Sequence, residues 1–146
     1  MEKRELQLQS VRKWREYQRQ SMIQALASLE SEMDQTRRNI EQIQQERDSL
    51  HDFSRESREG ELSVDRLLEF HRYELQLRET QDSLRLEHEK LMEKSNMRRS
   101  KLVEADLELK KIEQLIDRRQ EIIDRTDRQQ ELKIMDEFST QRIRNR

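Results

Sequence analysis

Apolar residues return along this chain alternately three and four positions apart, the period of a helix that buries one narrow stripe. From Met22 the series runs Leu26, Leu29, Met33, Thr36, Ile40, Ile43, Arg47 and Leu50 in one register. A second series, Leu67, Phe70, Leu77, Leu84 and Leu91, continues without a slip through Leu102, Ala105, Leu109, Ile112, Ile116 and Ile123. Between them Asp52 to Leu62 has no periodic apolar residue and holds Gly60, the only glycine of the sequence. The pattern predicts an all-α fold, a helix over 3–54, a turn over 55–62 and a second helix over 63–141, as a single domain spanning 1–146. Ser63 is placed to cap the second helix, with Asp65 in its first turn.

A short turn makes neighbouring helices antiparallel. The expected fold is therefore an antiparallel coiled-coil hairpin whose second helix is longer and projects past the first. Folding the chain about residues 58–59 sets Leu50 on Leu67, Ile40 on Leu77, Met33 on Leu84 and Leu26 on Leu91. Mixed layers, Ile43 with Glu74 and Leu29 with His88, fall between them and help to fix the register. Before Met22 the strict seam positions are Arg12, Arg15 and Arg19, while Val11, Trp14 and Gln18 offer a competing stripe. In this register the first helix ends its pairing near Gln114, leaving about 27 residues, roughly 40 Å, of unpaired helix. That arm carries Ile116, Ile123, Ile134, Met135 and Phe138, an apolar stripe that calls for a partner.

Composition supports helices and argues against a globular core. Of 146 residues, 42% are charged and 31% hydrophobic, too few apolar residues to fill a core of this size. With no proline and one glycine the chain also departs from the usual disordered composition. Charges of both signs alternate and net to −2, which gives no nucleic-acid or membrane signal. Arg142, Arg144 and Arg146 form a small basic tip. There are no cysteines, and Met1 to Gln20 lacks the apolar run of a signal peptide, so a cytoplasmic protein without membrane insertion is expected.

Candidate chemistry is sparse. His51, His71 and His88 are not spaced to share a helix face as metal ligands, and no phosphate-cradling glycine motif is present. A two-helix chain has no place for a water-excluded pocket, so no enzyme activity, cofactor or metal is expected. Trp14 and Tyr17 are rare aromatics at the less regular end. Tyr73 falls off the seam and suits a surface contact.

The segment Glu131-Leu132-Lys133-Ile134-Met135-Asp136-Glu137-Phe138, followed by Arg142, resembles the terminal pattern of the flagellar FliJ family. Leu67-Leu68-Glu69-Phe70-His71-Arg72-Tyr73-Glu74-Leu75 is similar to that family's aromatic start of the second helix. The unequal arms, the glycine-marked turn and the single seam favour a monomer, and the resemblance implies a stalk seated at the hexameric flagellar export ATPase, with Trp14, Tyr17, Ile123, Met135, Asp136, Phe138 and Arg142 as its ATPase contacts. It also implies contact with the cytoplasmic part of the membrane export gate protein, through Tyr73, Leu77, Thr80 and Leu84. Export chaperones are further implied partners, with no residue assigned to them. The implied location is the inner face of the cell membrane at the flagellar base. Two alternatives remain open: the equivalent stalk of a virulence type III secretion system, and a dimeric structural coiled coil unrelated to secretion.

Overall fold

The computed structural model describes residues 2–58 and 63–145. They form two helices, α1 (Glu2–Arg58) and α2 (Val64–Arg144), with no strand among the described residues. The first helix outlasts its expected end, because residues 55–58 hold neither glycine nor proline and continue the turn they inherit. The expected turn is thereby shortened, and its remainder, 59–62 with Gly60, lies outside the described residues. Ser63 caps α2: its Oγ accepts from the Arg66 N–H at 3.4 Å, and its carbonyl accepts from the Leu67 N–H at 3.3 Å. Asp65 in the first turn of α2 and Arg142 and Arg144 in its last complement the helix dipole.

The chain divides into two compact units, Ser21–Leu102, and Met1–Gln20 with Val103–Arg146. In the Ser21–Leu102 unit the helices are antiparallel: Glu30 meets Arg99, Gln44 meets Gln81, and Phe53 stacks edge-on against Phe70. Leu29, Leu77 and Leu91 are buried, each contributing about 1.5–3 kcal/mol. Polar seam positions are buried with them. Gln81 is 1% exposed, accepts from Arg47 Nη1 at 2.6 Å and donates to Gln44 Oε1 at 2.8 Å. Thr36 returns its hydroxyl to the Glu32 carbonyl at 3.0 Å.

These contacts correct the expected register. Folding about residues 58–59 would set Gln81 opposite Thr36, whereas it meets Gln44, about two helical turns away. The pairs Leu50–Leu67, Ile40–Leu77, Met33–Leu84 and Leu26–Leu91 are therefore not the layers of the hairpin. Glu74, expected beside Ile43, instead lies 3.2 Å from His51 Nε2 and 3.8 Å from Arg47 Nη2. The physical reason is the polar set: a slip toward matched leucines would bury Gln81 without its two best partners.

In the unit of Met1–Gln20 and Val103–Arg146 the same heptad frame persists. Leu109 is buried, Ile112, Ile116 and Ile123 are half-buried, and Arg12, Arg15 and Arg19 take the facing seam positions of α1. Val11 and Trp14 point outward, so of the competing stripe only Gln18 is half-buried. The unbroken apolar seam of α2 sets the frame, and the arginine stems lie along it with their heads reaching outward. Arg19 pairs with Asp106, while the Nε atoms of Arg12 and Arg15 are buried without a hydrogen-bond partner. Beyond Ile123 every described residue is exposed. The unpaired arm thus runs from Asp124 to Arg144, about 30 Å, shorter than the earlier register implied.

Candidate partner-binding surfaces

Surfaces on a two-helix chain are built by whatever the seam leaves out. In the Met1–Gln20 and Val103–Arg146 unit, the start of α1 lays Glu5, Leu6 and Leu8 beside Ile116, Arg119 and Ile123 of α2. Together they line a cleft of about 330 Å³. From there the arm continues alone. Leu132, Ile134, Met135, Phe138 and Ile143 are each 59–77% exposed. Phe138 and Arg142, one turn apart, line a second, shallow cleft with Gln141 and Asn145. Asp136 is exposed, and its backbone carbonyl receives the Thr140 hydroxyl at 2.7 Å.

The seven residues assigned to one contact by resemblance do not gather in one place. Trp14 is stacked under the Arg15 guanidinium, 5.3 Å from its ring centroid, and Tyr17 is 76% exposed. Arg19 meets Asp106, so Trp14 lies beside the part of α2 near Lys111. From there to Met135 is roughly 36 Å of helix. Ile123 belongs to the cleft between the two helices. Met135, Asp136, Phe138 and Arg142 alone form a continuous stretch of exposed arm.

The Ser21–Leu102 unit divides the second set as well. Tyr73 is exposed and borders a shallow groove with Leu50, Phe53 and Ser49. Thr80, seven residues on, is exposed on the same face, its hydroxyl bonded to the Gln76 carbonyl at 2.9 Å. Leu77 is 8% exposed and Leu84 half-buried, both in the seam. They support the helix pair and offer little to a partner. The aromatic pair beneath Tyr73, Phe53 and Phe70 with centroids 5.5 Å apart, was not anticipated. Phe53 falls inside a segment that its serines, arginines and glutamates mark as a break. Gln81 was missed because an apolar series passes over it, although its place four after Leu77 and three before Leu84 marks it as a seam position.

Among the described residues no group of His, Cys, Asp and Glu side chains could hold a metal ion. Likewise no described helix is long and apolar enough to cross a membrane. The described surface thus holds an exposed apolar arm, a cleft at its base, and a shallow groove that Gln42, Gln45, Glu46 and Ser49 line together with Leu50, Phe53 and Tyr73. A family model described as "Flagellar FliJ protein" matches residues 3–146. No curated protein and no solved structure matches the chain. With a match over nearly its whole length, the chain belongs to the flagellar FliJ protein family, a non-catalytic component of the flagellar protein-export apparatus.

Proposed function

We propose that this chain binds the flagellar export ATPase ring as a central stalk and couples the ring to the membrane export gate and to export chaperones. The observation that carries this reading is the unpaired end of α2. Leu132, Ile134, Met135 and Phe138 are exposed on a helix with no α1 residue beside it. Exposed apolar side chains on such a helix lower the free energy only when a partner covers them. Met135 and Phe138 are three apart, on neighbouring positions of one face, and Arg142 follows a turn later. That arrangement suits insertion into a collar of subunits.

In this reading the chain acts through differential binding. If the arm binds the closed ring better than free subunits, ring assembly is favoured by mass action. A second contact at the Tyr73 groove would link the same chain to the export gate on the cytoplasmic side of the membrane. No residue is assigned to the chaperones.

The test is the ATPase rate and hexamer fraction of the cognate export ATPase, measured with the native chain and with Met135→Ala/Phe138→Ala. Stimulation by the native chain and its loss in the variant is the expected result. Equal stimulation by both would move the contact off the arm. Absence of binding and stimulation would overturn the stalk reading.

A further inference from the structure

Charges of both signs alternate over most of this chain, and the longest acid-free stretches of its two helices meet. The longest acid-free run of α1 is residues 17–29, and that of α2 is residues 94–103. Within the Ser21–Leu102 unit, residues 21–29 and 94–102 of these runs lie side by side. Arg98 donates from Nη1 to the Ala25 carbonyl at 3.3 Å, and Arg99 donates to Glu30 Oε1 at 2.8 Å.

Lys94, Arg98 and Lys101 are spaced four and three apart, so they share one face of α2 over roughly 10 Å. All three are exposed, and none has an acidic partner within ion-pair distance among the described residues. The edge of α1 beside them, Ser21–Leu29, carries no charged residue at all. Met97 lies beside the cations and is 63% exposed. Like charges three and four apart on a helix destabilise it slightly. Apart from the Arg98 bond to the Ala25 carbonyl, the cluster makes no bond to α1, and it leaves a local positive field on a chain whose net charge is −2.

The surroundings select the occupant. The cluster is closed on both sides by carboxylates, Glu87, Glu89 and Glu93 before it and Glu104, Asp106 and Glu108 after it. A phosphate backbone tracking along α2 would run into them within a few residues, which disfavours nucleic acid. A single exposed methionine is too little apolar face to enter a lipid surface. A helix with carboxylates three and four residues apart matches the spacing of the cations, and its own basic residues would meet the flanking acids. We propose that Lys94, Arg98, Lys101 and Met97 form a docking surface for an acidic helical segment of a partner protein.

This surface is separate from the Met135–Phe138 arm, and its test does not involve the ATPase. The probe is a synthetic helical peptide with glutamates three and four residues apart, titrated into the full chain by fluorescence anisotropy. The affinity is expected to fall about tenfold in Lys94→Gln/Arg98→Gln/Lys101→Gln, from three partly exposed pairs lost together. It should be unchanged in Lys13→Gln/Lys110→Gln/Lys111→Gln, which removes as much charge elsewhere. Circular dichroism of both variants checks that the helices persist. Bound peptide should also shield Lys94 and Lys101, but not Lys110, from acetylation in the native chain. Equal affinity in the two variants, no binding, or no selective shielding would overturn the assignment. So would tighter binding of a single-stranded oligonucleotide, or of mixed phosphatidylserine and phosphatidylcholine vesicles, through the same three residues.

Discussion

Gln81 decides which register the two helices adopt, and removing it should let them slip. Its bond from Arg47 is charge-assisted and worth about 1.5–3 kcal/mol; that to Gln44 is worth about 0.5–1.5 kcal/mol. In the leucine-matched register, with Leu26 on Leu91, Gln81 would face Thr36, whose hydroxyl already donates to the Glu32 carbonyl. The slip therefore forfeits about 2–4 kcal/mol, a factor of roughly thirty to a thousand in population. Gln81→Leu abolishes that difference while keeping the seam filled. The chain has no cysteines, so pairs can be introduced cleanly. Leu29→Cys/Ser95→Cys joins two buried positions brought together by the Glu30–Arg99 contact and reports the observed register. Leu26→Cys/Leu91→Cys reports the slipped one. Mild oxidation should close only the first pair in the native background. Adding Gln81→Leu should raise the yield of the second pair at least about tenfold. If that yield stayed at background, the polar set would not be what fixes the register.

Leu109→Ala, which empties a buried seam position, should cost about 2–4 kcal/mol in urea denaturation, whereas Leu132→Ala on the exposed arm should cost less than about 0.5 kcal/mol. Arg12→Leu/Arg15→Leu removes two buried Nε atoms that make no hydrogen bond, at the loss only of the long Arg12–Glu16 ion pair (3.8 Å) and the Arg15–Trp14 stacking, and should raise the midpoint of unfolding rather than lower it. A double-mutant cycle on Arg19 and Asp106, whose side chains are 43% and 40% exposed, should give a coupling under about 1 kcal/mol that vanishes in high salt. Tyr73→Ala should weaken binding to the cytoplasmic part of the export gate with little change in stability, while Leu77→Ala should lower stability by about 2–4 kcal/mol, the ordinary cost of emptying a buried seam position.

The heptad spacing made the two helices and their boundaries legible to within a few residues, because period is a local property that survives any choice of partner. Ser63 was legible for the same reason: a cap is a matter of one side chain and the next turn. The register was not. Matching leucine to leucine treats each layer as apolar or neutral, and so passes over Gln81, Gln44 and Arg47, whose mutual bonds bear on the choice as well. The same error lengthened the arm, since every residue of slip adds to what is left unpaired. Among the surface residues, exposure separated those a pattern could find from those it could not. Met135 and Phe138 follow the last seam isoleucine and announce themselves. Phe53 sits in a polar segment and shows its role only when Phe70 is brought against it.

The two faces of the seam carry unequal shares of information. From Ala105 to Ile123 the α2 side is apolar at nearly every seam position, while the α1 side offers Arg12, Arg15 and Arg19. Arginine stems cover apolar surface less fully than leucines would, and the buried Nε atoms of Arg12 and Arg15 make no hydrogen bond. Pairing in this unit is thus weaker per layer than that built on Leu29, Leu77 and Leu91. Past Ile123 that frame turns polar, at Thr126, Gln130, Lys133 and Glu137, and the exposed apolar residues Leu132, Ile134, Met135 and Phe138 lie off it on the same helix. In the proposed stalk role, a weakly committed helix end would be an advantage. Less of its apolar surface would be committed to the intramolecular pair, and more would be left to distinguish an assembled ring from its free subunits.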